Sequence, residues 1–473
     1  VSHRCAARGR LYPLLAAALL LSACATGPTL PPPKLSHCGE ALGQLQRQAI
    51  EAGRADQQER ALPGYPYLRA DRTLWSLLGE LDSAPKRQQW LQLSAQLGAQ
   101  ALRSDHANLG SASDLGALLG CLPQQSAQLE QVPDWPQALA SHPYPSSYRR
   151  ELQVLGLYPL SKQLIRLPLA PLHRQLSHRF EQGPQPPTED YRPAAAARPD
   201  PARVTRWLEE AYRTSPLGLP TLSEQQQQQL LAQFAPLWQI EQRGPFDRPG
   251  RPFWKGGQAA IDTASPTTYS RLGYSRWQGR WLLQLSYLVW FSERPPSGWL
   301  DIYAGRLDGL YLRITLDSRG RPLLLDSIHP CGCYYSLIPL QPGLQLRPAG
   351  ELGEPPLLLP TRPVEMGKRL RISISSGDHM LVGADWVDPD RPGTPYRRQS
   401  DDVLRRLADG AQRRSLYVPP YGLIPGTRRG EQVLLWPSGI TAPGALRQWG
   451  QHAIAFSSER HFDDPDLLMQ LFR

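Results

Sequence analysis

The sequence predicts an α+β fold, in which a helical N-terminal region is followed by a mostly antiparallel, β-rich C-terminal domain. Three observations lead to this. Apolar residues recur at helical spacing from Cys38 to about Leu122. From Gly244 onward the period falls to two, and eight of the thirteen tryptophans lie in that part. The composition, 41% hydrophobic with 49 Pro and 39 Gly in 473 residues, is that of a loop-rich globular chain with room for two or three domains. The same figures exclude a disordered polymer and a polytopic membrane protein.

Residues 1–23 read as a secretory signal: Arg4, Arg8 and Arg10, an apolar run from Leu11 to Leu21 too short to span a bilayer stably, then small residues. Val1 fits an alternative start codon read as Met. The string Leu21-Ser22-Ala23-Cys24 resembles the lipobox of bacterial lipoproteins. That resemblance implies cleavage before Cys24, diacylation of its thiol and acylation of the new amino terminus. At about 0.8 kcal/mol per buried CH₂, three acyl chains would anchor the protein to a membrane essentially permanently. Ala25, standing where a retained lipoprotein carries Asp, implies the outer membrane, facing the periplasm.

The chain carries 52 Lys+Arg against 42 Asp+Glu; removal of residues 1–23 takes away three arginines and no acid, and leaves a net +7. Only five of these basic residues are Lys, a skew of coding bias more than of chemistry. A modest positive balance suits acidic envelope surfaces. No run of five basic residues and no nucleic-acid module occurs, so nucleic acid is not an expected partner.

The Pro-rich stretch within 24–35 reads as a stiff tether behind the lipidated cysteine. Residues 36–182 form the expected helical domain, with Leu42 and Leu45 in its first apolar stripe and Leu74, Leu77, Leu78 and Leu81 in a later one; a shorter amphipathic region ends near Phe180. The Pro/Ala-rich segment 183–201 reads as a linker, and 202–243 as a helical connection. At the start of the latter, Asp200-Pro201 opens one helix, and within it Thr221 with Glu224 suggests a capping box for the next.

In the β-rich domain, 244–473, the run Arg280–Phe291 reads as a central strand. Further strands are expected at Trp299–Tyr303, Gly309–Leu316, Pro322–Ser327 and Lys368–Ser375, with a hairpin turn at Asp317–Gly320. Short helices are expected at Asp401–Gln412 and at Asp466–Phe472, the latter capped by Asp464 with Pro465 at its first position.

The densest chemistry lies in Asp326-Ser327-Ile328-His329-Pro330-Cys331-Gly332-Cys333. His329, Cys331 and Cys333 are donors suited to zinc or copper, and His379 or His461 would complete such a site. Two other readings stand beside it: a Cys331–Cys333 disulfide, closing a small strained ring with redox potential, or cysteines that merely brace a tight turn. Of the cysteines left after Cys5 and Cys24, Cys38 and Cys121 lie in the helical domain. A disulfide between them would close a long loop and be worth about 2–4 kcal/mol.

There is no GxSxG elbow, P-loop, dinucleotide fingerprint or HExxH. Tyr287, Trp290, Trp299, Tyr334, Tyr335, Arg447 and Trp449 would suit a glycan or lipid headgroup platform, although a β core uses the same residue types. The expectation is therefore a lipid-anchored envelope lipoprotein that binds or scaffolds, with envelope proteins, glycan or lipid headgroups as candidate partners. The alternative is a metal-dependent or thiol-redox protein centred on His329, Cys331 and Cys333.

Overall fold

The computed structural model describes Leu30, residues 36–195, 197–198 and 200–473. The signal, Cys24 and all of the tether except Leu30 lie outside the described residues. Helix α1 (His37–Glu51) starts at Ser36, whose hydroxyl accepts the Gly39 amide at 3.1 Å. Helix α2 (Ala84–Leu109) has proline in its first turn and stops at Gly110 in the left-handed conformation. The two pack with short helices at Leu115–Gly120 and Leu122–Glu130 around Leu42, Leu45, Leu102, Leu118 and Leu122. At Gly98 helix α2 passes so close to Tyr67 that any Cβ would overlap the Tyr67 carbonyl. Cys38 and Cys121 are joined, with an S–S distance of 2.02 Å across 83 residues, which staples α1 to the end of this bundle.

The rest of the chain is built on one eleven-stranded sheet. Its strands, in chain order, are β1 (Thr188–Pro193), β2 (Leu237–Glu241), β3 (Thr267–Trp277), β4 (Arg280–Arg294), β5 (Gly305–Leu316), β6 (Pro322–Ile328), β7 (Ser336–Pro339), β8 (Leu357–Leu358), β9 (Arg369–Ile374), β10 (Leu381–Val387) and β11 (Thr394–Ser400). The spatial order is β8-β7-β6-β5-β4-β3-β11-β1-β2-β9-β10. The expected antiparallel character is corrected here: the sheet is mixed. Hairpins make β3 through β7 antiparallel, but β11 lies parallel to both β1 and β3, β2 lies parallel to β9, and β7 lies parallel to β8. The physical reason is that β11 returns late in the chain to fill the slot between β1 and β3, a crossover that no local pattern announces. Residues 183–201, expected as a linker, carry β1, which is hydrogen-bonded on both sides within this sheet.

The sheet is buried on both faces. Along β4, Leu283, Leu285, Tyr287, Val289 and Phe291 face a core shared with helices α3 (Leu169–Gln182), α4 (Pro201–Thr214) and α5 (Glu224–Gln233). Leu282, Leu288 and Trp290 face a second core, closed by Leu404, Leu446, Phe462 and Leu471 from the C-terminal segment. The sheet curls until its two ends meet: Arg362, just after β8, donates from Nε to Ala384 O of β10, the opposite edge strand, at 3.0 Å. The bundle is fastened to the sheet body by buried charge, since Arg405 donates to both oxygens of Asp56, at 3.0 and 2.6 Å, and to Glu59 at 3.2 Å.

Three local expectations are corrected. Trp299–Tyr303 is an exposed loop, because no neighbouring strand offers it a ladder. Asp401–Gln412 is a 3₁₀ turn at Asp401–Arg406 followed by a small hairpin, Leu407–Asp409 with Gln412–Arg414. The capping box of α5 is formed by Ser223 and Gln226, not Thr221 and Glu224. The last helix begins at Leu467, and the Asp464 carboxylate accepts the Asp466 amide at 3.0 Å in the turn before it.

Candidate functional site

His329 follows strand β6 directly, and Cys331 to Cys333 form the tight turn that leads to β7. The turn closes on itself: His329 N donates to Cys333 O at 3.0 Å and Gly332 N to His329 O at 2.8 Å. Gly332 has φ of 93°, and a Cβ there would overlap the Ala453 carbonyl, so glycine is required on two counts. The turn is roofed by residues 447–453, through Arg447 N donating to Pro330 O at 2.9 Å.

Histidine 379 arrives from the turn between β9 and β10, stacked on Phe291 with ring centroids 3.9 Å apart. Its Nδ1 donates to Asp308 Oδ2 at 2.9 Å, and Asp247 Oδ1 stands 3.6 Å from its Nε2. His329 Nδ1 is 3.3 Å from the other oxygen of Asp308, near enough for charge attraction but not aligned as a hydrogen bond. Arg429 completes the group, with Nη2 3.2 Å from Asp308 Oδ1. The Asp247 carboxylate also accepts from Arg243 N, Gly244 N, Ser376 Oγ and Gly377 N at 2.8–3.0 Å.

Environment divides the two histidines. Burial disfavours a charge on either; at His329 it prevails and lowers the pKa, while at His379 the Asp247 and Asp308 carboxylates outweigh it and raise the pKa. Burial pushes the Asp308 carboxyl up, but Arg429 and the histidines hold it well below the usual range. The cluster thus sets two carboxylates around one guanidinium and one histidine whose charged form they favour. It ties β5, the β9–β10 turn, residues 243–247 and the Arg429 loop together in the interior.

This geometry corrects the expected metal centre. His329 and His379 do approach one another, yet both turn toward Asp308 and not toward the sulfurs. His461 lies elsewhere, its Nε2 accepting the Ser147 amide at 3.0 Å. Among the described residues no group of three or more His, Cys, Asp or Glu side chains is arranged to hold a metal ion, zinc and copper included. The redox reading fares no better, since Cys331 and Cys333 are unbonded, buried thiols. Cys333 N donates to Cys331 Sγ at 3.3 Å. The Cys331 sulfur and burial push the Cys333 thiol well above its usual range, which suppresses thiolate chemistry. Asp308, Asp247 and Arg429 were missed by the sequence reading; none has a local motif, and only Asp308 interrupts an apolar strand.

Accessible chemistry lies elsewhere. A cavity of about 500 Å³ opens where the ends of the curled sheet meet. Ile314, Leu340, Leu370 and Trp386 line its sheet side, Val204 of α4 and Phe234 line the helical side, and the loop Pro363–Lys368 forms its lip. The lining is mainly apolar, with charges of both signs, Asp200, Glu365, Arg321 and Lys368, around it. A smaller polar cleft of about 30 Å³ at the junction of bundle and sheet is lined by Glu59, Asp71, Arg72, Arg271 and Asp463. The anticipated aromatic platform is not formed: Tyr287, Trp290, Tyr335, Arg447 and Trp449 are core residues and Tyr334 is half-buried, which leaves Trp299 alone in solvent.

Comparison with known proteins finds no family model, no curated protein and no solved structure that matches this chain.

Proposed function

We propose that the chain is a lipid-anchored envelope lipoprotein of the outer membrane, facing the periplasm, that binds an apolar or amphipathic small molecule. The anchoring half of this reading rests on Leu21-Ser22-Ala23-Cys24. The binding half is carried by one observation, the roughly 500 Å³ apolar-lined cavity at the seam of the sheet. That volume suits a drug-sized or acyl-chain ligand, and such cavities at the mouths of curled sheets are favoured ligand sites. The buried histidine–aspartate cluster, by contrast, offers a substrate no entry and serves the fold.

Two measurements test the halves separately. Intact mass of membrane-extracted protein is expected to carry three acyl chains that Cys24→Ser abolishes; an unmodified Cys24 would overturn the anchor. Native mass spectrometry and titration with an environment-sensitive apolar dye are expected to show one saturable site, weakened about tenfold or more by Val364→Trp at the lip. Absence of saturable binding, or binding indifferent to that substitution, would overturn the cavity reading.

A further inference from the structure

Helix α3 is preceded by two short helices, Arg150–Leu155 and Tyr158–Arg166, whose apolar side chains are not covered by the rest of the fold. Leu157, Leu160, Leu164 and Leu167 recur every three or four residues along one helix face, each between 65% and 71% exposed. Val154 and Leu155 on the preceding helix are exposed to a similar degree.

This surface continues onto two other segments. Arg149 N donates to Gly439 O at 2.8 Å and Gln153 Nε2 to Ser438 O at 3.1 Å, which sets the helix pair beside Val433, Leu434 and Trp436. Glu431 N donates to Ile302 O at 3.2 Å, which brings up the loop carrying Trp299, Leu300 and Tyr303. Trp299, 92% exposed, is the least covered of the large apolar residues. Soluble monomers seldom expose so much contiguous apolar surface without a use for it.

Charge selects the occupant. Residues 149–174 hold five Lys or Arg and a single acid, Glu151. Arg150, Lys162 and Arg166 form no ion pair among the described residues. Leucines on one face, flanked by unpaired cations with an exposed tryptophan beside them, are what an interfacial helix needs to sit at the headgroup level of an anionic membrane. No helix of the described residues is long and apolar enough to cross a bilayer.

We infer that the face formed by residues 150–167, 433–436 and 299–303 docks on a membrane surface rich in anionic headgroups. This contact is separate from the cavity and does not require the acyl anchor.

The test uses a chain beginning at Gly27, which retains every described residue and carries neither the signal nor Cys24. It is mixed with vesicles of phosphatidylglycerol and phosphatidylcholine, or of phosphatidylcholine alone, and floated on a density gradient. Binding to the anionic vesicles is expected, at least about tenfold stronger than to the neutral ones and weakened by salt. Leu160→Glu with Leu164→Glu is expected to abolish it at an unchanged melting temperature, because both side chains already face solvent. Lys162→Glu with Arg166→Glu is expected to remove the preference for phosphatidylglycerol. No flotation, or flotation that survives the two glutamates, overturns the inference. So does dimerisation in sedimentation that the leucine variant abolishes while vesicles are ignored, which would make the face a contact between two copies of this chain.

Discussion

His379 Nδ1 stands 2.9 Å from Asp308 Oδ2, and through that bond the turn between β9 and β10 is locked to strand β5 across the inner face of the sheet. Residues 71 positions apart meet there at zero solvent exposure, with Arg429 on the opposite oxygen of the same carboxylate.

Replacing Asp308 with Asn keeps the shape and removes the charge, which leaves His379 and Arg429 facing each other in the interior. Loss of one partner from a buried charge group costs about 3–5 kcal/mol. Urea denaturation should therefore show Asp308→Asn destabilised by at least about 3 kcal/mol. A loss below about 1 kcal/mol would mean that the cluster is dispensable.

Stability should fall as pH rises through neutrality. Glu59, buried beside Arg405 and Asp56, has its carboxyl pushed up to about 7 by burial, so between the ordinary carboxylate range and pH 7 the folded chain holds a proton that the unfolded chain has lost. His379 acts in the same direction: its stabilisation is complete below the ordinary histidine range and lost as pH climbs through its raised folded value. His329, His452 and His461, whose pKa values burial lowers, oppose this below the ordinary histidine range, where the unfolded chain takes up protons they refuse. The depressed Asp308, Asp247 and Asp56 oppose it only on further acidification. Melting temperatures should decline from about pH 6.5 to 8, above the ordinary histidine value, and Glu59→Gln should flatten the decline. An unchanged slope in that variant would remove Glu59 from the account.

Cysteine chemistry should divide cleanly. Cys331 and Cys333, 4% and 5% exposed, are expected to resist a thiol reagent in the native protein and to react as two thiols once it is unfolded. The Cys38–Cys121 bridge spans 83 residues, so Cys38→Ser should lower stability by about 2–5 kcal/mol. Rapid native labelling of Cys331 would reopen a redox role for that turn.

Gly332→Ala probes the turn itself. With φ of 93° and the Ala453 carbonyl in the way, an added methyl must displace either the turn or its roof. The expected cost exceeds about 1 kcal/mol by chemical denaturation, and native labelling of Cys331 should rise with it. A neutral substitution would show that the roof yields freely.

Parts of this fold are legible because local rules suffice for them. Arg280–Phe291 reads as a central strand because aromatic and aliphatic residues dominate it, and it forms the core of β4, buried at every position but Arg280. The Asp317–Gly320 turn joins β5 to β6 as its residues suggest, and Asp200-Pro201 opens α4, with Asp200 accepting the Arg203 amide. The cysteine arithmetic pairs Cys38 with Cys121 because both lie in one bundle. Trp299–Tyr303 has strand propensity but acquires no ladder, and propensity without a hydrogen-bonding neighbour does not make a strand.

The sequence by itself determined that helices precede most of the sheet, which residues are apolar enough to prefer burial, and the lipobox that implies an anchor at Cys24; it did not place β1 and β2, which lie in stretches that read as a linker and a helical connection. Only the tertiary structure decided that β11 enters between β1 and β3, that His329 and His379 turn to Asp308 and not to the sulfurs, and that the leucines of 154–167 remain uncovered. Hydrophobic periodicity records that a face prefers to leave water. Which face it meets, or whether it meets none within the chain, depends on contacts between residues far apart in sequence, and local pattern carries no record of those.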